Sequence, residues 1–238
     1  MIGDNLQGVI SRIARAAAAA GRSPGSVRLL AVSKTHPAAR IAEAYGAGQR
    51  AFGENYVQEA LEKMDALAQL LGRERVRDIE WHLIGPLQSN KTRAAAERFD
   101  WVQSVDREKI ARRLSEQRPA ALAPLNVLIE VNLSGEATKS GIAAEGAAGL
   151  AHAVAALPRL RLRGLMSIPA PSADKARQRA AFRAVRELFE RLRAEGLELD
   201  TLSMGMSDDM EAAIEEGATM VRIGTAIFGP REKVGSAA

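Results

Sequence analysis

Residues 28–48 read RLLAVSKTHPAARIAEAYGAG, a short aliphatic run followed by an amphipathic segment. The aliphatic residues at 28–33 predict a buried β-strand, because a continuous apolar run of this length is typical of strands covered on both faces. The segment at 37–47 predicts a helix that begins at a proline and ends near a glycine. One strand followed by one helix is the repeating unit of parallel α/β folds.

This unit recurs along the whole chain. Strands are predicted at 28–33, 51–53, 80–84, 101–105, 125–131, 160–166, 201–203 and 220–223, and helical patterns lie between them at 37–47, 56–71, 106–118, 143–156, 174–194 and 208–216. Strict alternation implies parallel strands joined by crossover helices, and eight units favour closure into a single (β/α)8 TIM barrel. An open doubly wound sheet remains the alternative, because periodicity does not show closure.

The length of 238 residues suits one barrel domain, although two small domains would also fit it. No segment rich in serine, glycine and proline divides the chain, so we expect a single domain over residues 1–238. Its barrel would extend over residues 28–231. An additional amphipathic helix at about 4–21 precedes the first strand and is expected to pack against one face or end of the barrel.

The composition limits the compartment and the class of protein. There is no cysteine, which excludes disulfides, thiolate zinc sites and a cysteine nucleophile. The first 26 residues lack the apolar core of a signal peptide, and no apolar run approaches the roughly 20 residues that span a bilayer. We therefore expect a cytoplasmic protein with no membrane partner.

The net charge of +4 raises the question of nucleic acid binding. The basic residues are dispersed among acidic ones on helices, and the few aromatic residues are not interleaved with them. This distribution argues against nucleic acid as a partner. Lysine occurs only seven times in this arginine-rich chain, so a lysine at a special position is a candidate for chemistry that arginine does not perform.

Lys34 is at such a position, directly after the first predicted strand. TIM barrels place their reactive groups at the C-terminal ends of the strands and in the loops that follow. A partly desolvated lysine there has a lowered pKa, and its neutral amine can attack a carbonyl to form a Schiff base. The alternative is a surface lysine at a strand end.

Phosphate binding is indicated after the seventh and eighth strands. The segment LSMGMSDD at 202–209 places Ser203 and Ser207 around Gly205, and VRIGTAIFG at 221–229 forms the eighth strand and one further helical turn. Barrels commonly bind phosphate in these two loops, where main-chain N–H groups and a helix N-terminus face the anion. The alternative is that the glycines only serve tight turns.

The remaining candidates are less specific. His82 lies inside the third strand, where its ring would contact a ligand or be an ordinary core histidine. His36 and His152 have no second ligand at metal spacing, so no metal is expected. Lys139, in the loop after the fifth strand, would contact a phosphate or be solvated.

Several long motifs in this chain resemble those of one known family. They are AVSKTHP (31–37), FGENYVQE (52–59), WHLIGPLQSNK (81–91), SVDR (104–107), EVNLSGEATKSG (130–141), GLMSIP (164–169) and the segment 202–229. Together they resemble the YggS/PROSC family of pyridoxal 5′-phosphate (PLP) homeostasis proteins, over about residues 28–231. The resemblance implies a barrel similar to the N-terminal domain of alanine racemase, with PLP bound covalently to the lysine of the AVSK motif, here Lys34.

The resemblance also assigns further cofactor contacts. Phosphate would be held at Ser203, Gly205 and Ser207, with the amides of Gly224 and Thr225, and Met204 in the same segment is also expected among the cofactor-binding residues. Arg222 would face the pyridine nitrogen, and Asn55 would contact the ring side. His82 stays a cofactor-binding candidate from its strand position alone. His36 departs from the family pattern, because a lysine is common at that place.

Two consequences follow for function. A cationic arginine at the pyridine nitrogen weakens the ring as an electron sink. Racemisation needs a second acid or base, and neither Tyr45 nor Tyr56 is an obvious one in a chain that ends shortly after Gly229. The expected role is therefore non-catalytic holding and delivery of PLP by a monomer to apo PLP-dependent enzymes. A low-activity amino-acid racemase is the alternative.

Overall fold

The computed structural model describes residues 1–133 and 140–230. Its strands are β1 (Arg28–Val32), β2 (Ala51–Glu54), β3 (Glu80–Leu83), β4 (Trp101–Val105), β5 (Leu125–Asn132), β6 (Ile142–Ala143), β7 (Leu160–Met166), β8 (Thr201–Ser203) and β9 (Met220–Ile223). The helices are α1 (Ile2–Ala19), α2 (Ala38–Gly46), α3 (Val57–Leu71), α4 (Thr92–Arg98), α5 (Glu108–Gln117), α6 (Ala144–Ala155), α7 (Lys175–Ala194), α8 (Met210–Glu215) and α9 (Thr225–Phe228).

Eight of these strands form a closed parallel barrel. Each pairs with its neighbour in the order β4, β3, β2, β1, β9, β8, β7, β5, and a further pairing of β4 with β5 closes the ring. The pairings are parallel throughout, with Ala31 opposite Phe52 on one side of β1 and Leu30 opposite Arg222 on the other. The predicted (β/α)8 barrel is confirmed, and the alternative of an open sheet is wrong.

One strand and one α-helix of the described residues were not among the predictions. The strand β6 is two residues long and extends the sheet outside the ring, where Ile142 lies opposite Val131. The helix α4 is seven residues long. Both are too short to show a repeating apolar pattern in the sequence, because fewer than two turns or two alternations give no measurable period.

Apolar side chains pack on both sides of the barrel wall. The main core lies between the outer face of the sheet and the surrounding helices. Two smaller clusters fill the barrel interior, one around Leu30, Val32 and Met220 and another formed by Trp101, Leu128 and Met166. The interior also buries polar side chains, among them His82, Gln103, Ser203 and Arg222.

The N-terminal helix predicted at 4–21 is present as α1. Its buried residues Leu6, Val9, Ile13 and Ala17 recur every three or four positions and form one apolar face. This face packs against α8, α9 and α2, beside the loops that follow β8 and β9. Among residues 1–133 and 140–230, no helix is both long and apolar enough to cross a bilayer.

Gly164 allows a close contact between β7 and β8. It lies next to an irregularity in the pairing of β5 with β7, and its φ of 152° is one that other residues rarely adopt. A Cβ atom at this position would lie 1.9 Å from the carbonyl oxygen of Thr201. The position therefore requires glycine.

We expect Gly164→Ala to lower the free energy of unfolding by about 2 kcal/mol or more, since the new methyl group must displace the backbone of β8. Urea denaturation measures the change. Gly149→Ala is the matched control: Gly149 lies in α6 with no atom within 4 Å of an added Cβ, and alanine should stabilise the helix by about 0.5–1 kcal/mol. Equal stabilities for the two variants would contradict the packing described here.

Candidate functional site

A cavity of about 600 Å³ opens at the C-terminal ends of the barrel strands. Its lining residues come from the ends of β1, β2, β3, β7, β8 and β9 and from α1, and they are Arg12, Val32, Lys34, His36, Asn55, Ile84, Ile168, Met206, Ser207, Asp208, Arg222, Gly224, Thr225 and Ala226. Six residues predicted to bind a cofactor are thus brought together: Lys34, Asn55, Ser207, Arg222, Gly224 and Thr225.

The other four predicted site residues lie outside this lining. His82 and Ser203 are fully buried in the barrel interior beneath the cavity. Met204 is also fully buried and belongs to the core between the sheet and the helices. Gly205 has a φ of 95° and packs closely on α8, where an added Cβ would lie 2.6 Å from Cβ of Ala213.

Lys34 lies in the turn after β1, which ends one residue earlier than predicted. The next residue, Thr35, has a left-handed backbone with φ of 65°, a strained conformation for a β-branched residue. The backbone N–H of Thr35 donates to Oε1 of Glu59 at 2.5 Å, which holds this turn in place. The residue before Lys34 is fixed as well, since Ser33 donates its hydroxyl to Oε1 of Glu54 at 2.6 Å.

A buried lysine joins these two anchoring contacts. Lys63 on α3 donates to the carbonyl oxygen of Ser33 at 2.8 Å, to both carboxylate oxygens of Glu54 at 2.9 and 3.0 Å, and to Oε1 of Glu59 at 2.5 Å. Burial raises the pKa of Glu54, and the Lys63 ammonium opposes this rise. One buried ion cluster therefore holds the residues on both sides of Lys34.

Lys63→Met should lower the free energy of unfolding by about 3–5 kcal/mol, because it leaves a buried carboxylate without its cation. Urea denaturation at pH 7 measures the effect. Replacing both partners, in Lys63→Met with Glu54→Leu, should recover part of the loss, since no charge then stays buried alone. Lys109→Met, at an exposed position of α5, is the control and should change stability by less than about 0.5 kcal/mol. A Lys63→Met protein as stable as that control would contradict the ion cluster.

Arg222 lies on β9 with its guanidinium at the floor of the cavity. It donates from one terminal nitrogen to Oγ of Ser203 and from the other to the carbonyl oxygen of Ser167, both at 2.9 Å. Burial lowers the pKa of Arg222 to about 10, while Asp209 and Glu130 oppose the shift. The guanidinium is therefore still a cation at neutral pH.

Asn55 follows β2 and contributes an amide to the cavity wall. Its Oδ1 atom is buried and has no hydrogen-bond partner among residues 1–133 and 140–230. A buried acceptor without a donor costs about 1–3 kcal/mol, so the cavity is suited to a ligand that supplies a donor here. This orphaned oxygen is a direct sign that the cavity accommodates a polar molecule.

The loops after β8 and β9 form the side of the cavity next to α1. Ser207, Gly224 and Thr225 line this side together with Arg12. Arg12 forms a two-bond ion pair with Glu211 of α8, at 2.5 and 2.7 Å, and donates to the carbonyl oxygen of Ser207 at 3.0 Å. The extra helix therefore contributes a cation to the site and holds the loop after β8.

Arg12 and Lys63 were not among the residues predicted from the sequence. Arg12 pairs with Glu211, 199 positions away, and Lys63 joins Glu59, four positions before it, to Glu54 and Ser33, so the full set of contacts is visible only in the folded chain. Glu130, at the end of β5, was quoted only within a motif. It is 5% exposed, and burial together with the neighbouring Asp106 raises its pKa to about 7, although Arg222 opposes the shift.

Three further predictions concern other side chains. His36 is buried and stacks on Phe228, with 5.1 Å between ring centroids, and it lines the cavity. Lys139 lies outside the described residues. Within the described part of the chain, no three His, Asp or Glu side chains are grouped in a way that could hold a metal ion.

Comparison with known protein families identifies the class of protein to which this chain belongs. The family model for the N-terminal domain of alanine racemase matches residues 5–232 of this chain. The match covers the barrel and most of α1, so the class is that of alanine racemase N-terminal barrels.

Individual relatives identify one family within this class of barrels. The pyridoxal phosphate homeostasis protein of Pseudomonas aeruginosa is 62% identical over 231 residues, which cover 97% of this chain and 96% of the relative. The protein of the same name from Escherichia coli K12 is 57% identical over 231 residues, with 97% of each chain covered. The chain therefore belongs to the pyridoxal phosphate homeostasis protein family.

A solved structure supports the same placement. PipY of Synechococcus elongatus, in a structure with PLP bound, superimposes with a TM-score of 0.83 at 39% identity, covering 96% of this chain and 100% of that one. The resemblance inferred from the sequence motifs is confirmed.

Proposed function

We propose that this chain holds PLP as a reversible Schiff base on Lys34 and delivers it to other proteins. The observation that carries the proposal is the cavity itself, which combines a lysine amine, a buried guanidinium and an unpaired amide oxygen at the C-terminal rim of the barrel. The relative PipY, whose structure is described with PLP bound, supports the choice of ligand.

The bond to Lys34 needs only the lysine and the aldehyde. The neutral amine of Lys34 adds to the aldehyde carbon, water leaves, and a carbon–nitrogen double bond forms. No oxidant, reductant or metal takes part in this exchange. Addition of water, or of an amine from another lysine, reverses the bond, so the protein can release the cofactor unchanged.

The phosphate would lie against the side of the cavity formed by Ser207, Gly224 and Thr225. The first N–H groups of a helix have no partner within the helix, and in α9 these belong to residues that line the cavity. The guanidinium of Arg12, paired with Glu211, lies on the same side. The cavity therefore presents backbone N–H donors to the phosphate of the cofactor and an amine, that of Lys34, to its aldehyde.

Arg222 would meet the ring of the bound cofactor. Because its guanidinium keeps its proton at neutral pH, it disfavours a proton on the pyridine nitrogen. An unprotonated ring withdraws electrons weakly from a bound amino acid. This property suits a protein that holds PLP without transforming amino acids.

The two tyrosines do not supply an opposing base at the cavity. The hydroxyl of Tyr45 donates to the carbonyl oxygen of Arg75 at 2.8 Å, and Tyr56 is 59% exposed next to Asn55. Neither is among the lining residues that the structure describes. In this proposal the protein holds the cofactor as a monomer in the cytoplasm.

Borohydride reduction tests the covalent bond. It should trap one PLP on Lys34, identified by mass spectrometry of a peptide digest, and Lys34→Ala should abolish the adduct. Lys109→Ala is the control, since Lys109 is exposed on α5 outside the cavity and its loss should leave the labelling unchanged. Labelling of a different lysine in the wild-type protein would refute the central assignment.

Delivery is tested with an apo PLP-dependent enzyme. Protein loaded with PLP should restore the activity of this enzyme faster than PLP escapes spontaneously, because an acceptor lysine can attack the imine directly. The rate of escape is measured in parallel with an aldehyde scavenger. Reactivation no faster than this escape would mean that the protein stores PLP but does not hand it over.

A further inference from the structure

A continuous chain of hydrogen bonds crosses the barrel interior beneath the cavity. It begins at Arg222, which donates to Oγ of Ser203 at 2.9 Å. Ser203 donates to Oε1 of Gln103 at 2.6 Å, and Nε2 of Gln103 lies 2.9 Å from Nδ1 of His82. The Nε2 atom of His82 lies 2.5 Å from Oε1 of Glu80.

The far end of this chain fixes the direction of every bond. Burial raises the pKa of Glu80, but the bonds from His82 and Arg28 outweigh this and bring it to about 2. Glu80 is therefore a carboxylate that only accepts. Burial lowers the pKa of His82, so its ring is neutral and its single N–H must be the one at Nε2 that faces Glu80.

The neutral ring then sets the orientation of the amide. Because Nδ1 of His82 carries no proton, it accepts from the NH2 group of Gln103, and Oε1 of Gln103 is turned toward Ser203. An amide oxygen only accepts, so the hydroxyl proton of Ser203 points to Gln103. The lone pairs of Ser203 are then left to accept from Arg222.

We propose that Gln103 is a positioning residue for Arg222, which acts by holding Ser203 as an acceptor and so fixes the guanidinium at the ring-binding floor of the cavity. The inference deepens the proposed function and rests on it. It also gives Ser203 a different role from phosphate binding, since its proton is already donated inside the barrel.

Packing alone does not require an amide at position 103. Gln103 is fully buried, and methionine, an unbranched side chain of similar length, would fill similar space without an amide to satisfy. A buried amide costs free energy unless its bonds are made, and here both ends of the amide are used. His82 is held in turn by stacking on Trp101, with 5.1 Å between ring centroids.

The test is a double-mutant cycle between Gln103→Met and Arg222→Met. The probe is 4′-deoxypyridoxine 5′-phosphate, which has no aldehyde, so its binding does not depend on the bond to Lys34. We expect Arg222→Met to weaken binding about tenfold or more and Gln103→Met about fivefold. The double variant should bind no more weakly than Arg222→Met alone, because Gln103 acts only through the arginine.

A spectrum gives a second readout. In protein loaded with PLP, Gln103→Met should shift the absorption maximum in the same direction as Arg222→Met. Leu128→Met is the matched control, since Leu128 is a fully buried interior residue on the neighbouring β5 and has no part in the chain of bonds. It should change binding less than about twofold and leave the spectrum unchanged.

The results of these binding measurements distinguish a failure of the role proposed for Gln103 from a failure of the proposed PLP binding. If the effects of Gln103→Met and Arg222→Met multiply in the double variant, Gln103 acts independently of the arginine and the inference is wrong. If Gln103→Met does not fold, Ser203→Ala replaces it, because it removes one hydroxyl from the same series of hydrogen bonds. Ser203→Ala should weaken binding of the analogue in the wild-type background and have no further effect on binding in the Arg222→Met background. A wild-type protein that binds neither the analogue nor PLP overturns the proposed function and this inference together.

Discussion

The pairing of β4 with β5 is the contact on which the site depends, because it closes the sheet into a ring. In a parallel ring all strands end on the same rim, so loops distant in sequence face one cavity. The three neighbouring strands β9, β1 and β2 then bring together Arg222, Lys34 and Asn55. The strand order sets their order around the rim, and the backbone register, in which Leu30 pairs with Arg222 and Ala31 with Phe52, sets their relative depth.

The second constraint is the cost of burying charge. An unpaired ion inside a protein costs several kcal/mol, so each buried cation of this barrel has fixed oxygen partners. Lys63 has three carboxylate contacts and a carbonyl, and Arg222 has a hydroxyl and a carbonyl. The hydrogen bonds and ion pairs that offset the cost of burying these cations also restrict the movement of the groups they join. The backbone around Lys34 and the guanidinium of Arg222 are thus held in place by the protein before any ligand binds.

Much of this arrangement could be predicted from the sequence. Alternating strand and helix patterns gave the barrel, and the rule that strands end at the active rim singled out Lys34. Depth within the barrel could not be predicted. A period of two shows that Ser203 and His82 face the interior, but it does not show whether they reach the cavity or lie below it. Pairs such as Arg12 with Glu211, 199 positions apart, follow only from the docking of α1.

The position of α1 shows why an element outside the barrel belongs to the site. Its apolar face is buried against α2, α8 and α9, and apolar burial stabilises by roughly 25 cal/mol per Å². This apolar packing also positions α1 for specific hydrogen bonds, because Arg12 then reaches Glu211 and the carbonyl oxygen of Ser207. The Nδ2 atom of Asn5 donates to the carbonyl oxygen of Ile227 in the same way, at 3.0 Å. Both loops that we assign to the phosphate are therefore tied to α1, and the barrel without this helix would have the same strands but a less fixed cavity wall.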